Sequence, residues 1–308
     1  MPQIDEFIQQ QLNDWEDARL RYDALKKVKT KDARVGDTLY RVQFNPARIV
    51  SSAAKLDPKS LQERKCFLCD TNRPSEQHSL PFGSQYQILV NPFPIFPKHL
   101  TIPSLQHLPQ RIGPRFSDML ALADYLPSFV IFYNGPRCGA SAPDHAHFQA
   151  GNKGFLPIEE EWKSHRLQWA NCGSAILWHL SFLACPALAI ESSVPSDISK
   201  CFQIIYHSME KKEGEEEPMM NILAWKEDDH WIVIVFPREQ HRPACYFAEG
   251  ERNLLISPAS VDMGGVFITP LEKDFEKITA SDIEQILRDV CFSDNHMNNL
   301  MSQIKRNI

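Results

Sequence analysis

His145, His147 and Gln149, in the run Pro143-Asp144-His145-Ala146-His147-Phe148-Gln149, have the types and spacing for chemistry at phosphorus. An unprotonated imidazole can attack phosphorus, and a carboxamide can hold a phosphoryl oxygen without adding a charge. On a strand, residues two apart share a face, so the three would form one polar row. The loop before them, Gly135 to Ser141, reads Gly-Pro-Arg-Cys-Gly-Ala-Ser. Its backbone N–H groups would be preorganised donors. The bland alternative is a half-buried strand with one satisfied histidine.

A second constellation is Cys66-Phe67-Leu68-Cys69. It is open to three readings: zinc, redox work, or no role. A redox pair is expected to open a helix after a strand, whereas the flanking Glu63-Arg64-Lys65 and Asp70-Thr71-Asn72-Arg73-Pro74 look like a turn. Zinc needs four ligands in a tetrahedron, and a Cys-x-x-Cys turn supplies two. Candidates for the other pair are His99, where a bend meets a strand, and His145. His78, His107, His165, His179, His207, His230, His241 and His296 take no role.

Elements must hold these residues in place. Apolar residues among charges over 3–28 read as one or two amphipathic helices. Strands are expected over Leu39 to Val50 (a bent strand or strand pair), Tyr86 to Asn91, Leu100 to Pro103, Phe129 to Asn134 and His145 to Ala150. A helix is expected over Arg115 to Leu126. The pattern weakens around 151–175. Beyond it come a strand over Ala184 to Glu191, a helix over Ile198 to Lys212, a hairpin of Met220 to Trp225 with His230 to Phe236, and a closing helix over Ser281 to Val290. The two halves order their elements alike. The expected division is an N-terminal helical segment at 1–35, a catalytic half at 36–175 and a second half at 176–308.

Length and composition bound the function. The 308 residues can bury a large core, and 43% hydrophobic with 23% charged residues is ordinary for a globular protein. A formal charge of −6 argues against general nucleic-acid binding but permits a small phosphorylated ligand. No run has membrane-spanning length, and the start lacks the order of a signal peptide. The 8 cysteines then read as reduced thiols, and the expected compartment is the cytoplasm.

In order, the Cys-x-x-Cys, the Pro-x-His at Pro97-Lys98-His99, the Gly-rich loop and the His-x-His-x-Gln resemble the histidine-triad superfamily, in its galactose-1-phosphate uridylyltransferase and nucleotide phosphorylase branch. The segment Asn91 to Pro103 is similar to the superfamily's strand-turn-strand ahead of the motif. Residues 220–238, and Val261-Asp262-Met263-Gly264-Gly265, are similar to the second half of dinucleoside-polyphosphate and GDP-sugar phosphorylases. The resemblance implies an α+β fold of antiparallel sheets with flanking helices, built from two fused histidine-triad-like units acting as a pseudo-dimer. Departures are Asp144, an extra residue before the first histidine, and zinc cysteines that many phosphorylases of the group lack.

The resemblance implies zinc held by Cys66, Cys69, His99 and His145, with His147 as nucleophile. Gln149 stands where the superfamily's hydrolases carry a third histidine, which favours transfer over hydrolysis. Asn134, Gly139 and Ser141 match the phosphate-binding loop. Asn91 is a candidate for ribose or base, or a turn-former before Pro92. Arg137 and Lys98 are candidates for phosphates, or for a solvated rim. Arg238, at a strand end, is a candidate to reach a phosphate from the second half. The expected function is nucleotidyl transfer or phosphorolysis on a nucleoside diphosphate sugar or dinucleoside polyphosphate, through a nucleotidyl-histidine, with inorganic phosphate or a sugar phosphate as acceptor. The alternatives are hydrolysis of nucleotide conjugates, or a zinc-stabilised nucleotide-binding protein without catalysis.

Overall fold

Side chains along a strand alternate between its two faces, and in this chain both faces of the central strands are apolar, so the sheet must be covered on both sides. The computed structural model describes residues 2–49, 60, 63–182 and 184–308. Its strands in chain order are β1 (Lys29–Val35), β2 (Thr38–Phe44), β3 (Ser79–Phe82), β4 (Tyr86–Val90), β5 (His99–Pro103), β6 (Phe129–Asn134) and β7 (His147–Asn152). They continue as β8 (Arg166–Cys172), β9 (Ala175–Leu180), β10 (Ala187–Ser192), β11 (Met220–Glu227), β12 (His230–Pro237) and β13 (Val266–Thr269).

Ten strands form one antiparallel sheet in the order β3-β4-β5-β7-β6-β11-β12-β10-β9-β8. The first five enclose helix Phe116–Tyr125 between their third and fourth members, and the second five enclose helix Pro195–Ser208 at the same point. Each set lies in the order first, second, third, fifth, fourth, and the two fourth strands, β6 and β11, meet at the centre. This is an α+β fold of large antiparallel sheets with flanking helices, as expected.

Alternation decides which layer each strand residue joins. Ile131, Ile222, Ala224 and Val233 pack with Phe116, Met119, Phe202, Leu300 and Ile304 from helices on one face. Val130, Phe132, Leu223, Trp225 and Ile234 pack on the other face with Trp162, Ile256, Val266, Ile283 and Ile286. Burying one such aliphatic or aromatic side chain contributes roughly 1.5–3 kcal/mol. The second layer includes a three-stranded sheet, β1-β2-β13, in which β13 runs parallel to β2.

The expected divisions at 35/36 and 175/176 both cut hairpins. Val35 pairs with Thr38 between β1 and β2, and Cys172 pairs with Ala175 between β8 and β9. The change from one five-strand set to the other falls between Asn152 and Arg166. The strand expected over Leu39 to Val50 ends at Phe44, and Val50 lies outside the described residues. A last helix, Asp294–Asn307, extends the expected C-terminal end, and its Met297, Leu300 and Ile304 reach the core. Among the described residues no helix is long and apolar enough to cross a membrane.

Candidate active site and metal cluster

Period two places the reactive residues. On β7, Phe148 and Ala150 turn to the helical face, so His147, Gln149 and Gly151 turn to the other. On β5, Leu100 and Ile102 likewise leave His99 and Thr101 on the same side as His147. His99 pairs with Gly151, and Thr101 with Gln149. A Cβ at Gly151 would come within 2.3 Å of the Phe96 ring, so glycine admits the aromatic floor beneath His99. A cavity of about 600 Å³ opens on this side, lined by His147, Gln149, Asn91, Asn134, Gly139 and Ser141, among others.

His147 is held at ring and backbone. Its Nδ1 lies 2.8 Å from the His145 carbonyl, which can only accept, so Nδ1 carries the proton and Nε2 keeps its lone pair. Burial lowers its pKa to about 4, with smaller effects from its neighbours, so the ring is neutral near pH 7. Gln110 clamps the strand start: its Oε1 accepts from His147 N at 2.8 Å, and its Nε2 donates to His147 O and Asn134 O.

Two carboxamides have their oxygens engaged on the protein side. Gln149 Oε1 is 3.0 Å from His99 Nε2 and accepts from Asn91 Nδ2 at 3.4 Å. Asn134 Oδ1 accepts from Ser260 N, Ser260 Oγ and Asn221 Nδ2 at 2.7–2.9 Å. A backbone N–H can only donate, so Ser260 fixes which end of Asn134 faces inward. Both side chains thus turn an NH2 toward the cavity, where a phosphoryl oxygen would accept.

The loop between β6 and β7 adds backbone donors. The N–H groups of Gly139, Ala140 and Ser141 have no hydrogen-bond partner among the described residues, and all three residues line the cavity. Gly139 sits at φ +92°, and a Cβ there would come within 2.5 Å of Ala259, so glycine permits the close approach of the two halves. Positive charge comes from Arg48, whose pKa burial lowers to about 10, and from Arg242, also lowered by burial. Both remain cations near neutral pH and line the cavity.

His145 leaves the expected polar row. It precedes β7, in the turn, and its Nδ1 lies 3.3 Å from Cys66 Sγ and 3.6 Å from Cys69 Sγ. The fourth member of this cluster is His107, whose Nδ1 is 3.2 Å from Cys69 Sγ; the four ligand atoms all lie within 4.8 Å of one another. Metal bonds of about 2.0–2.3 Å in a tetrahedron put ligand atoms roughly 3.3–3.8 Å apart, so this donor set fits a four-coordinate ion. His145 Nε2 donates to the Ser104 carbonyl at 2.8 Å, which leaves Nδ1 as the ligand nitrogen.

His99 is therefore corrected from metal ligand to partner of Gln149. The antiparallel register explains the error. His147 pairs with Pro103, so the chain beyond Pro103 lies beside His145, while His99 is at the far end of β5. Four residues of strand at about 3.3 Å each separate it from that end. His107 carried a signal that was missed: it follows the strand end by only a few residues.

Four other expected residues have different places. Asn91 lines the cavity, but its Oδ1 accepts from Phe93 N and its Nδ2 donates to Thr101 Oγ1, both at 2.8 Å, so it ties the turn. Arg137 pairs with Glu215 at 2.9 Å away from the cavity lining. Arg238 is buried, and its guanidinium donates to Asn221 Oδ1 and to the carbonyls of Val290, Pro258, Gln240 and His241. It braces the second half and does not line this cavity. Lys98 pairs with Asp5 on the surface.

Two family models match the chain. One, described as a domain of unknown function (DUF4922), covers residues 7–152. The other, described as GDPGP1-like, C-terminal domain, covers residues 194–308. No curated protein sequence matches the chain significantly. Among solved structures, yeast Ap4A phosphorylase Apa2 superposes with TM-score 0.62 at 18% identity, covering 90% of this chain and 96% of that one. The same enzyme in complex with AMP gives TM-score 0.59 at 17% identity, over 92% and 96%. In complex with Ap4A it gives 0.56 at 16%, over 90% and 96%. The fold is thus similar to that of a nucleotide phosphorylase, and residues 194–308 match a GDPGP1-like C-terminal domain.

Proposed function

We propose that this protein is a nucleotidyltransferase of the phosphorylase type, acting on a nucleoside diphosphate sugar or dinucleoside polyphosphate. The observation that carries the reading is His147: a neutral imidazole with Nδ1 bound to a carbonyl and Nε2 free, beside amide donors from Gln149 and Asn134. In the first displacement, His147 Nε2 forms a bond to the α-phosphorus, and the bridging P–O bond breaks to release a phosphorylated leaving group. In the second, an oxygen of the acceptor phosphate bonds to the same phosphorus and the P–N bond breaks. Splitting one transfer into two regenerates the histidine.

The cavity's donors meet the charge of the transferred group. Gln149, Asn134 and the N–H groups of Gly139, Ala140 and Ser141 face the non-bridging oxygens, and each such donor is worth roughly 3 kcal/mol in the transition state. Arg48 and Arg242 balance the remaining phosphate charge. Cys66, Cys69, His107 and His145 would hold a zinc ion, which supplies folding stability and fixes the turn before His147.

The test is incubation with a panel of nucleoside diphosphate sugars and dinucleoside polyphosphates, with and without inorganic phosphate, and mass analysis of the products. Ap4A belongs on that panel because the similar yeast phosphorylase was captured with it. Phosphate-dependent formation of a nucleoside diphosphate is expected. Release of nucleoside monophosphate without phosphate would mean hydrolysis instead, and no turnover of any panel member would leave only a nucleotide-binding role.

A further inference from the structure

We propose that His99 is a positioning residue, which fixes the Gln149 carboxamide so that its NH2, not its oxygen, faces the reacting phosphoryl group. The proposal rests on the nucleotidyl-transfer reading, but the geometry that carries it is independent of any substrate. His99 has no exposed surface, and it lies on a strand between the aromatic floor and the cavity. The backbone N–H of Ile95 points at its Nδ1 over 3.1 Å. That group can only donate, so Nδ1 must hold a lone pair, and a neutral ring must then carry its proton on Nε2.

The Nε2–H in turn needs an acceptor, and 3.0 Å away is one end of the Gln149 amide. Only the oxygen end satisfies it. The opposite rotamer would set NH2 against N–H in a buried place and leave both unsatisfied. A second pin is independent of the first. Asn91 accepts from Phe93 N with its oxygen, so its Nδ2 faces Thr101 Oγ1 and Gln149 Oε1. Burial, together with the nearby Arg48 charge, lowers the His99 pKa to about 3, so the ring does not gain the second proton that would oppose Ile95.

The consequence for transfer is a matter of sign. An inward NH2 attracts a non-bridging phosphoryl oxygen, whereas an inward carbonyl would repel it. His99 touches no substrate atom in this scheme, and it acts through Gln149 alone.

The experiment has two arms. In the first, long-range 15N–1H correlation on the wild-type protein reads the His99 tautomer without any ligand: a protonated Nε2 is expected, and a protonated Nδ1 overturns the proposal. In the second, His99→Phe, His99→Gln, Gln149→Ala and His99→Phe/Gln149→Ala are compared on the best nucleotide substrate. His99→Phe should lose roughly 10²-fold in kcat with little change in KM, the loss typical of one misplaced donor. His99→Gln, which keeps an amide donor near the Nε2 position, should retain most of the rate. The double variant should be no slower than Gln149→Ala alone, because an absent amide cannot be misoriented. Losses that multiply would make His99 merely structural and overturn the proposal. A wild type that turns over no nucleotide refutes the transfer reading, and the tautomer arm then decides the His99 proposal alone.

Discussion

Asn221 Nδ2 donates to Asn134 Oδ1 at 2.9 Å across the central β6–β11 ladder, so an amide from one half of the sheet sets an amide in the other. Arg238 determines the sense of this bond by donating to Asn221 Oδ1. Asn221→Leu should therefore loosen Asn134, whose Oδ1 would keep only the Ser260 donors, and leave a buried guanidinium short of an acceptor. A stability loss of about 3 kcal/mol is expected by urea denaturation, from the unsatisfied charged donor. Turnover should fall as well, with nucleotide affinity less affected. Unchanged kcat in a folded Asn221→Leu protein would separate Asn134 from the reaction.

Metal content distinguishes the two histidines that compete for the fourth ligand position. The purified protein should carry close to one zinc per chain, and Cys66→Ser or His107→Ala should lose it, whereas His99→Phe should keep it. Elemental analysis of the three variants reads this directly. Chelation should lower thermal stability, because ligation supplies folding energy. Zinc lost from His99→Phe and retained in His107→Ala would reverse the assignment.

Removal of the nucleophile gives a sharper result. His147→Ala should abolish turnover while leaving nucleotide affinity largely intact, since the amide and backbone donors remain. A substrate labelled at the α-phosphate, mixed with wild type without acceptor, should leave acid-labile label on the protein. Two displacements also give net retention at phosphorus and ping-pong kinetics. Inversion with intersecting initial-rate lines would demote His147 to a phosphate ligand. Gln149→His should increase release without phosphate, because an imidazole there can pass a proton and the amide cannot.

Glu217 makes stability depend on pH. Its carboxylate accepts from Ile112 N at 2.7 Å and from the Tyr133 hydroxyl, and burial raises its pKa from 4.5 to about 7. The folded state then holds the proton more tightly than the unfolded state. Its stabilising contribution is present below pH 4.5 and is lost as pH rises through about 7. The raised value corresponds to a loss of roughly 3 kcal/mol across that window. Glu217→Gln should remove this slope, read as the difference between the two proteins' urea midpoints from pH 4.5 to 8. Parallel midpoints across the range would mean that Glu217 does not titrate there.

His147 and Gln149 were legible because their relation is local: two residues apart on one strand means one face. The Gly135 to Ser141 loop was legible for a similar reason, since its glycines and its place before the motif are both short-range. His99 and His107 could not be told apart that way. Their roles depend on how β5 registers against β7, and composition and spacing do not state a register. Ser260 and Asn221 were out of reach, because they join Asn134 from 126 and 87 residues away. The β8–β9 hairpin was missed because β8 is an edge strand, half-exposed along most of its length, with little of the alternation that marks a covered strand.

The parallel pairing of β13 with β2 joins positions more than two hundred residues apart: Thr269 Oγ1 donates to Gln43 O across 226 residues. Closing such a loop is slow relative to forming the hairpins within it, such as β3–β4 and β11–β12. A chain leaving the ribosome makes its nucleophile early, but the residues that orient Asn134 and wall the cavity arrive only with residues 221–269. Synthesis order thus separates possession of the reactive imidazole from possession of a working site, and an incomplete chain holds the first without the second.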